Sequence, residues 1–410
     1  MSTSVTQPSP PQAPPSGPPE PGRRSLSERI PWTDLVTTLA AFVLAFAVGA
    51  VLMIVSDTEV RSTFAYFFAR PSDALHASWD KVSGAYAALV RGALGGYGPI
   101  TATTAQAAPL ICAGLGVGLA FRAGLFNIGA QGQAILGAIL AAYVGFSWHL
   151  PPGIHLLAAL LAGLVGGGLW GGVVGWLKAR TGAHEVIVTI MMNYIAAGLL
   201  GYLLTTNTFR RPGRTDPISP VVDWNATFPR LEGGQLHLGF AVALLAALGV
   251  WWLLDRSTTG FAIRAVGANP HAAATAGMSV ARTTVITMVA AGALAGLAGV
   301  HAALGPSASG VPVPLSAGIV GSLGFDAITV ALLGRSRPLG IVFAGLLFGA
   351  LHAGGLAMQS VAQTPLTLTT ALQALIVLFV AAPALIAKLL PFLRKRRLRP
   401  FGPAAEGGLA

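Results

Sequence analysis

AGLFNIGAQGQAILGAILAAYVGFSWHLPPGIHLLAALLAGLVGGGLWGGVVGWL, residues 123–177, contains no Asp, Glu, Lys or Arg. One passage through the hydrocarbon core of a bilayer needs about 20 apolar residues, so this stretch is long enough for two spans. Further charge-free runs cover 92–121, 186–209, 233–254, 283–325 and 338–387. Charged residues make up 10% of the chain, against about 25% in soluble domains. The sequence therefore predicts an all-α fold, a polytopic transmembrane helical bundle, and excludes a soluble globule.

The apolar runs and the basic residues together give the spans and their orientation. With both termini in the cytoplasm, 17 of the 25 Lys and Arg residues lie on the inner side, as the positive-inside rule requires. Prolines and glycines interrupt the apolar pattern over 306–337, where a re-entrant or broken helix fits equally well. We place about ten spans, at 33–55, 99–121, 124–146, 154–177, 185–206, 237–254, 283–304, 317–334, 338–358 and 367–390.

The chain ends and two outer stretches differ in composition from this predicted transmembrane domain of 33–390. Residues 1–32 are proline-rich and predict a disordered cytoplasmic tail, and 391–410 predict a basic cytoplasmic tail. Residues 56–98 and 207–235 are polar and long enough to form surface structure that faces an external partner. Membrane orientation and attraction to anionic lipid account for most of the net charge of +11, so no nucleic-acid partner is expected.

Amide side chains inside the apolar runs are the first candidates for a substrate pathway. Asn127 and Gln131 lie four residues apart, so on one helix they would share a face, and Gln133 follows closely. These side chains either bind a polar solute that passes along the bundle or hydrogen-bond a neighbouring helix. The sequence leaves both alternatives open.

A second polar stripe begins the fifth predicted span. Glu185, Thr189 and Asn193 follow one another at intervals of four residues, so they occupy one helix face over two turns. An unpaired carboxylate in lipid is costly, so Glu185 is expected at the cytoplasmic mouth or, preferably, paired with Arg180 or Arg122. Asp326 is similarly isolated, and it either lines the pathway or caps the start of a span.

A short capped helix is predicted on the cytoplasmic side, within RSTTGFAIRAVGANPHAAATAGMSVAR at 256–282. Asn269 suits an N-cap, Pro270 the first helical position, and Gly277 the left-handed residue that closes a helix. The Ala-rich face around Ala273 is small enough to lie in a groove of another protein, which makes this segment a candidate docking site. The alternative is an ordinary cytoplasmic loop.

Motifs for catalysis are missing from the sequence. A Walker A loop needs a lysine within Gly-Lys-Ser/Thr, and none of the four lysines has that context. There is no HExxH, GxSxG or paired-acid cluster, and the single cysteine, Cys112, excludes an intrachain disulfide and a cysteine-based metal site. We therefore expect a chain that is not an enzyme, binds no metal or cofactor, and does not hydrolyse ATP itself.

Four segments resemble the permease subunits of ATP-binding cassette (ABC) importers, in particular the nucleoside type within the branched-chain amino acid and simple sugar permease superfamily. The resemblance covers roughly residues 33–390 in a consistent order. The chain departs from the family at Gln131, where many relatives carry glutamate, and at His184, where asparagine is common. The segments are FRAGLFNIGAQGQ at 121–133, TGAHEVIVTIMMNYIA at 181–196, GFAIRAVGANPHAAATAGM at 260–278 and GFDAITVALLGRSRPLG at 324–340.

The resemblance implies a subunit of the bacterial plasma (inner) membrane that carries nucleosides along a translocation pathway. It also implies partners: a second permease subunit, two cytoplasmic ATPases or a fused tandem ATPase that use the ATP, and an extracellular substrate-binding lipoprotein. Residues of the capped helix region match the part of the family that couples to the ATPases. The matching positions are Arg264, Gly267, Asn269, Pro270 and Gly277.

Other transport functions remain as alternatives at this point. A simple sugar or a branched-chain amino acid could use the same amide-lined passage, since the binding protein does most of the selecting. An ion-coupled secondary transporter would need membrane carboxylates, and Glu185 and Asp326 are the only candidates. A purely structural membrane protein is disfavoured by amides and acids that recur at helical spacing.

Overall fold

The structure is a computed structural model that describes residues 32–231 and 234–381. These ranges contain only helices, turns and two isolated β-bridges, so the prediction of an all-α transmembrane bundle is confirmed. The predicted tails lie outside the described residues, except that Trp32 begins the first helix. The α-helices are α1 Trp32–Ser56, α2 Thr58–Thr63, α3 Pro71–Leu94, α4 Tyr97–Arg122, α5 Ala130–Ser147, α6 Ile154–Thr181, α7 Glu185–Thr205, α8 Leu238–Arg256, α9 Thr258–Ala268, α10 Pro270–Thr275, α11 Val280–Leu304, α12 Leu323–Leu333, α13 Pro338–Ala362 and α14 Leu366–Ala381.

Eight of these helices are long and apolar enough to cross a membrane, and α12 and α14 are shorter apolar helices. The ten segments match the ten predicted spans in order, although α5 and α12 each begin six residues after the predicted starts at 124 and 317. The last predicted span extends to 390, and its part beyond Ala381 lies outside the described residues. Within 207–235, the described residues form loops with one short 3-10 turn at Trp224–Ala226, as the prolines there indicate.

Glycines let the central helices of the bundle pack backbone against backbone. A Cβ atom at Gly167 of α6 would collide with the carbonyl oxygen of Gly292 on α11, and one at Gly171 with that of Met288. In lipid, such close approach supplies dispersion contacts that a hydrophobic effect between helices cannot. The glycine-rich face of α6 therefore packs against α11 and does not line a passage.

The segment before α12 crosses much of the bundle without forming a helix. Near the outer loop, the backbone N–H of Ser219 donates to Leu315 O at 3.1 Å, and Leu315 N–H donates to the Ser219 hydroxyl at 2.9 Å. Six residues further on, the carbonyl of Gly321 is bound at the first turn of α5 by Gln131. Non-helical backbone at membrane depth is tolerated only where protein or a cavity satisfies its polar groups. The broken-helix alternative for 306–337 is the one the structure adopts.

The outer stretch 56–98 contains a long helix, α3, that the sequence did not reveal. The alanine-rich face of α3 is buried. It packs closely on α13, because a Cβ atom at Gly354 of α13 would collide with the carbonyl oxygen of Leu89 on α3. Lys81 is paired with Asp57 at 2.6 Å and also donates to the carbonyl of Ala362, the last residue of α13, at 3.0 Å. Charged residues thus hold α3 on the outer half of the bundle.

The pairing of Asp57 with Lys81 predicts a pH-dependent contribution to stability. The hydrogen bond from Lys81 holds the pKa of Asp57 below its usual value, with help from the backbone N–H of Val60. A depressed carboxyl pKa stabilises the fold above the unfolded pKa, about 3.9, and this contribution is lost as pH falls through the folded value.

Asp57→Asn should therefore lower the Tm of the detergent-purified protein at pH 7, by the equivalent of about 1 kcal/mol or less. The difference from the unsubstituted protein should disappear at the most acid pH the fold survives. Asp80→Asn, on the exposed face of α3, is the matched control. An Asp57→Asn variant as stable as the control at pH 7 would contradict the assignment.

Candidate translocation and coupling sites

The first polar cluster forms where the chain turns from α4 into α5. Helix α5 begins at Ala130, so Asn127 lies in the preceding loop and does not share a helix face with Gln131, which corrects the sequence prediction. Gly124 adopts a positive φ of 71° in that loop, a conformation in which glycine is favoured and from which a regular helix cannot start. The loop 123–129 is thus a separate non-helical segment between α4 and α5.

Asn127 and Gln133 pair with each other in the interior. The Asn127 amide nitrogen donates to Gln133 Oε1 at 3.1 Å, and the Gln133 amide nitrogen is 3.3 Å from Asn127 Oδ1. Asn127 Oδ1 also accepts from the backbone N–H of Gly129 at 3.0 Å. Both side chains are buried, with 1% of Asn127 and 0% of Gln133 exposed. Their amides are therefore used in holding the loop 123–129 against α5.

Gln131 and Asn193 bind backbone groups where non-helical chain meets helix. Gln131 donates from Nε2 to Gly321 O at 2.6 Å and accepts the backbone N–H of Gly324 on Oε1 at 2.7 Å. Asn193 on α7 donates to Ile128 O at 3.0 Å and accepts from Gly132 N–H at 2.8 Å. We call Asn127, Gln131, Gln133 and Asn193 the amide cluster; it connects α5, α7 and the start of α12.

Thr189 and Glu185 lie beside this cluster on α7. Thr189 is buried against Gly129, and its hydroxyl donates to Val186 O in its own helix at 3.0 Å. Glu185 forms an ion pair with Lys178 at 2.7 Å and accepts from Phe126 N–H at 3.5 Å. A structural pair was expected, but its partner is Lys178 and neither Arg180 nor Arg122.

The two arginines proposed for that pair have other environments. Arg122 donates from Nε to Ser336 O at 3.0 Å, across from the end of α12. Arg180 is exposed and makes no ion pair or side-chain hydrogen bond within the described residues. Lys178 lies two residues before Arg180, on nearly the opposite face of α6, and its ammonium group reaches Glu185 across the turn that joins α6 and α7.

Asp326 lies in the first turn of α12, at the break in the segment. Its Oδ2 atom accepts from the hydroxyl of Ser322 at 2.7 Å. Ser322 is exposed, and the adjacent Phe325 has 57% of its surface exposed. Neither Ser322 nor Phe325 was predicted as a site residue, although a serine four residues before an aspartate at a helix start is a recognisable sequence signal. The break thus presents a hydroxyl, a carboxylate and an aromatic ring outside the packed interior.

The cytoplasmic segment 257–277 forms two helices, α9 and α10, where the sequence predicted only the second. The predicted caps of α10 are present: Asn269 Oδ1 accepts from His271 N–H at 3.0 Å and Ala272 N–H at 3.1 Å, and Gly277 has φ 82°. Pro270 is the first helical residue. Ser257 caps α9 in the same manner by accepting from Gly260 N–H at 2.9 Å. Local capping therefore fixes both ends of α10 as the sequence indicates.

The burial pattern shows which side of α10 is free. Ala273 is 4% exposed, so its side chain faces the protein, while the exposed face comprises His271, Ala272, Ala274, Thr275 and Ala276. Arg264 on α9 is exposed and 3.6 Å from Asp255, a distance and setting in which an ion pair contributes little. A partner that docks on α10 meets the alanines on either side of Ala273 and not Ala273 itself.

Gly267 joins this cytoplasmic segment to the amide cluster. A Cβ atom at Gly267, near the end of α9, would collide with the carbonyl oxygen of Arg122. An ideal Cβ at Gly124 would likewise lie 3.4 Å from the Gly267 Cα atom. The end of α9 is thus in backbone contact with the loop 123–129, which also holds Asn127. The described residues contain no group of three or more His, Cys, Asp or Glu side chains placed to hold a metal ion.

Comparison with known proteins identifies the family. Residues 100–381 match the family described as branched-chain amino acid transport system / permease component. The chain belongs to this permease family. The guanosine ABC transporter permease protein NupP of Bacillus subtilis is 38% identical over 366 residues, which cover 89% of this chain and 98% of that protein.

Two further relatives are named as permeases for different solutes. The nucleoside ABC transporter permease protein NupB of Lactococcus lactis is 32% identical, with 87% of this chain and 93% of that protein covered. The glucose ABC transporter permease protein TsgB13 of Haloferax volcanii is 32% identical, with 68% and 75% covered. No solved structure shows a significant match. The chain is a multi-pass transport component of the plasma membrane without its own ATPase site, and it works with ATPase and substrate-binding partners.

Proposed function

We propose that this permease forms the translocation pathway of a nucleoside importer. The similarity to NupP, which extends over nearly the whole length of both chains, is the observation that carries the proposal. The similarity to the Haloferax glucose permease supports a sugar importer as the second candidate, over a smaller share of the chain. Nucleosides and sugars share the hydroxyl groups of a sugar ring, so a pathway that offers hydrogen-bonding side chains suits both.

The proposed transporter needs partners that supply energy and deliver substrate. We assign ATP binding and hydrolysis to two cytoplasmic ATPase subunits or one fused tandem ATPase, with no cofactor bound by the permease itself. A second permease subunit would complete the pathway, and an extracellular lipoprotein would deliver the solute. The outer surface formed by α3 and the loops of 207–235 is the side available to that lipoprotein.

The break before α12 is the proposed position of the pathway. The exposed Ser322, Phe325 and half-buried Asp326 offer hydrogen bonds and ring stacking to a nucleoside, as broken helices near the midplane do in other transporters. Gln131, Thr189, Asn193 and Glu185 then act behind this surface by holding its backbone in place. Asn127 and Gln133 belong to the same supporting layer, because their amides are already paired.

The contact chain from α10 to this break supports a coupling route. A docked partner that displaces α10 would also displace α9 and its residue Gly267, which contacts the loop 123–129. From there the amide cluster carries the displacement to Gly321 and Gly324 at the start of α12. In this arrangement Asn269, Pro270 and Gly277 shape the docking helix, Arg264 lies on its flank, and Ala273 anchors it to the bundle.

Uptake by a reconstituted transporter distinguishes the candidate solutes. Proteoliposomes that contain the permease and its partner subunits, loaded with the substrate-binding lipoprotein, should accumulate radiolabelled guanosine in the presence of ATP. Unlabelled guanosine should compete with this uptake, and glucose should not. ATP-dependent accumulation of glucose without guanosine uptake would replace the nucleoside proposal with the sugar alternative. Uphill uptake without ATPase subunits, driven by an ion gradient, would refute both.

Substitution of Asn127 tests its place in the supporting layer. Asn127→Ala leaves Gln133 and the Gly129 N–H without their partners, and unpaired buried polar groups cost about 1–3 kcal/mol each. We expect a lower Tm and reduced yield, with the KM for uptake nearly unchanged in the protein that remains folded. A raised KM at an unchanged Tm would place Asn127 in contact with substrate.

A further inference from the structure

An open apolar groove runs along the membrane-facing side of α6 and α11. It has a volume of about 590 Å³ and is lined by Leu164, Gly168, Gly172 and Trp176 of α6 together with Val289 and Ala293 of α11. Gly168 and Gly172 contribute no side chains to it, so α6 and α11 meet closely at its floor: an ideal Cβ at Gly168 would lie 3.5 Å from the Cβ of Ala293. Leu169, on its rim, is 66% exposed. No described residue covers this groove.

Two unpaired arginines lie at the cytoplasmic end of the groove. Residues 164, 168, 172, 176 and 180 follow one another every four positions, so Arg180 continues the stripe one turn beyond Trp176. On α11, Arg282 lies two turns before Val289 on the same face. Within the described residues, neither arginine side chain has an ion pair or hydrogen bond, and Glu185, the acid expected to pair with Arg180, is bound by Lys178.

The two helices bring these arginines to the same level. They run antiparallel, with Gly168 beside Ala293, Gly172 beside Val289 and Gly175 beside Val285. Continued by one more turn, this pairing sets Arg180 next to the start of α11, where Arg282 lies. Trp176, 55% exposed between the groove and the arginines, has the position of a side chain at the headgroup level.

The length of the groove fits one leaflet. From residue 164 to 176 a helix rises about 18 Å, close to the roughly 15 Å of hydrocarbon in half a bilayer. Exposed Leu157 and Leu161 continue the apolar face of α6 beyond the groove, so the apolar surface alone would also suit a partner helix; the two arginines at its cytoplasmic end favour an anionic lipid. Basic pockets between helices on the cytoplasmic side suit anionic lipid headgroups. We propose that the groove binds an acyl chain of an anionic phospholipid of the inner leaflet, with the headgroup phosphate between Arg180 and Arg282.

Lipid retention by the purified full-length chain tests this site directly. The probes are phosphatidylglycerol and phosphatidylcholine with the same palmitoyl and oleoyl chains, offered in equal amounts in mixed micelles and counted by native mass spectrometry. We expect one tightly held phosphatidylglycerol per chain. In the double variant Arg180→Gln/Arg282→Gln, the preference for phosphatidylglycerol over phosphatidylcholine should fall about 30-fold, because each arginine near the surface contributes about 1 kcal/mol to binding an anionic lipid. The double variant Arg337→Gln/Arg256→Gln removes two cytoplasmic charges elsewhere and should keep the preference.

Filling the groove tests the position of the acyl chain. Gly168→Leu should reduce phosphatidylglycerol retention about tenfold, the equivalent of about two displaced methylene groups. Gly249→Leu on the exposed face of α8, where nothing lies within 4 Å of an added Cβ, is the matched control and should change nothing. Tm measurements establish that both variants remain folded.

Three results would overturn the proposal. One is equal retention of the two lipids by the unsubstituted chain, and another is unchanged preference in the Arg180→Gln/Arg282→Gln variant. The third is a Gly168→Leu variant that loses association with a second permease subunit but still retains lipid. That result would show that a helix of the partner subunit occupies the groove. The role of the chain as a permease would stand in each case, because this site is independent of the solute and the coupling route.

Discussion

Replacement of Ala272 by glutamate is expected to abolish ATP-driven uptake while leaving the protein folded in the membrane. Ala272 lies on the exposed face of α10, and its backbone N–H is held by Asn269 at 3.1 Å. An acidic residue in the first turn of a helix is stabilising, so α10 itself should persist. A bulky charge in a face of alanines prevents close docking of a partner in its groove. Uptake should fall at least about tenfold, which corresponds to about 1.4 kcal/mol of lost docking or coupling.

The measurement separates coupling from assembly. ATP hydrolysis and uptake are recorded in the same proteoliposomes, and the Ala272→Glu variant should hydrolyse ATP without moving solute, or lose its ATPase partner on purification. Ala281→Glu, exposed in the first turn of α11, is the matched control and should transport normally. Normal uptake by Ala272→Glu would remove α10 from the coupling route.

Ala273→Glu should fail in a different way. Because Ala273 is only 4% exposed, the substitution forces a carboxylate into the contact between α10 and the bundle. Burial of an unpaired charge costs several kcal/mol, so this variant should lose stability and yield before it loses coupling. Neighbouring alanines on one short helix thus give opposite phenotypes, one uncoupled and one unfolded, which a plain solvent-exposed loop would not produce.

Features of the fold that depend on local sequence were predictable. The absence of charge over 123–177 required membrane spans, and the cap residues Asn269 and Gly277 fixed both ends of α10. Interruption of the apolar pattern by clustered prolines and glycines also raised the alternative of a broken helix before α12, because several prolines close together disfavour a continuous helix. In each case the signal lies within a few residues of the structure it determines.

Features that depend on tertiary contacts were missed. The stretch 56–98 was predicted only as polar surface structure, yet it contains the packed helix α3, whose Lys81 is bound by Asp57 and by the end of α13. The periodicity of Asn127 and Gln131 suggested one helix face, but the chain turns at Gly124 and pairs Asn127 with Gln133 instead. Spacing along the chain does not reveal which distant group completes a hydrogen bond.

Replacement of Gln131 by leucine should have the largest effect on the pathway itself. Gln131 is the side chain that binds both Gly321 O, at 2.6 Å, and Gly324 N–H, at 2.7 Å, where the non-helical segment becomes α12. Leucine leaves both backbone groups without this partner, and because Gly324 is buried its unpaired N–H alone should cost about 1–3 kcal/mol. The start of α12 should then lose its fixed position, and uptake should fall by about 10- to 100-fold. Gln359→Leu, on the exposed face of α13, is the matched control.

Gln131→Glu then tests whether this side chain acts by hydrogen bonding or by charge. A carboxylate still accepts from Gly324 N–H, but it donates to Gly321 O only when protonated. Uptake by the glutamate variant should therefore be highest at acid pH and decline as pH rises, while the glutamine protein shows no such decline from this position. A variant with full uptake at every pH would mean that the bond to Gly321 is dispensable. Loss at every pH would mean that a neutral amide is required at this position.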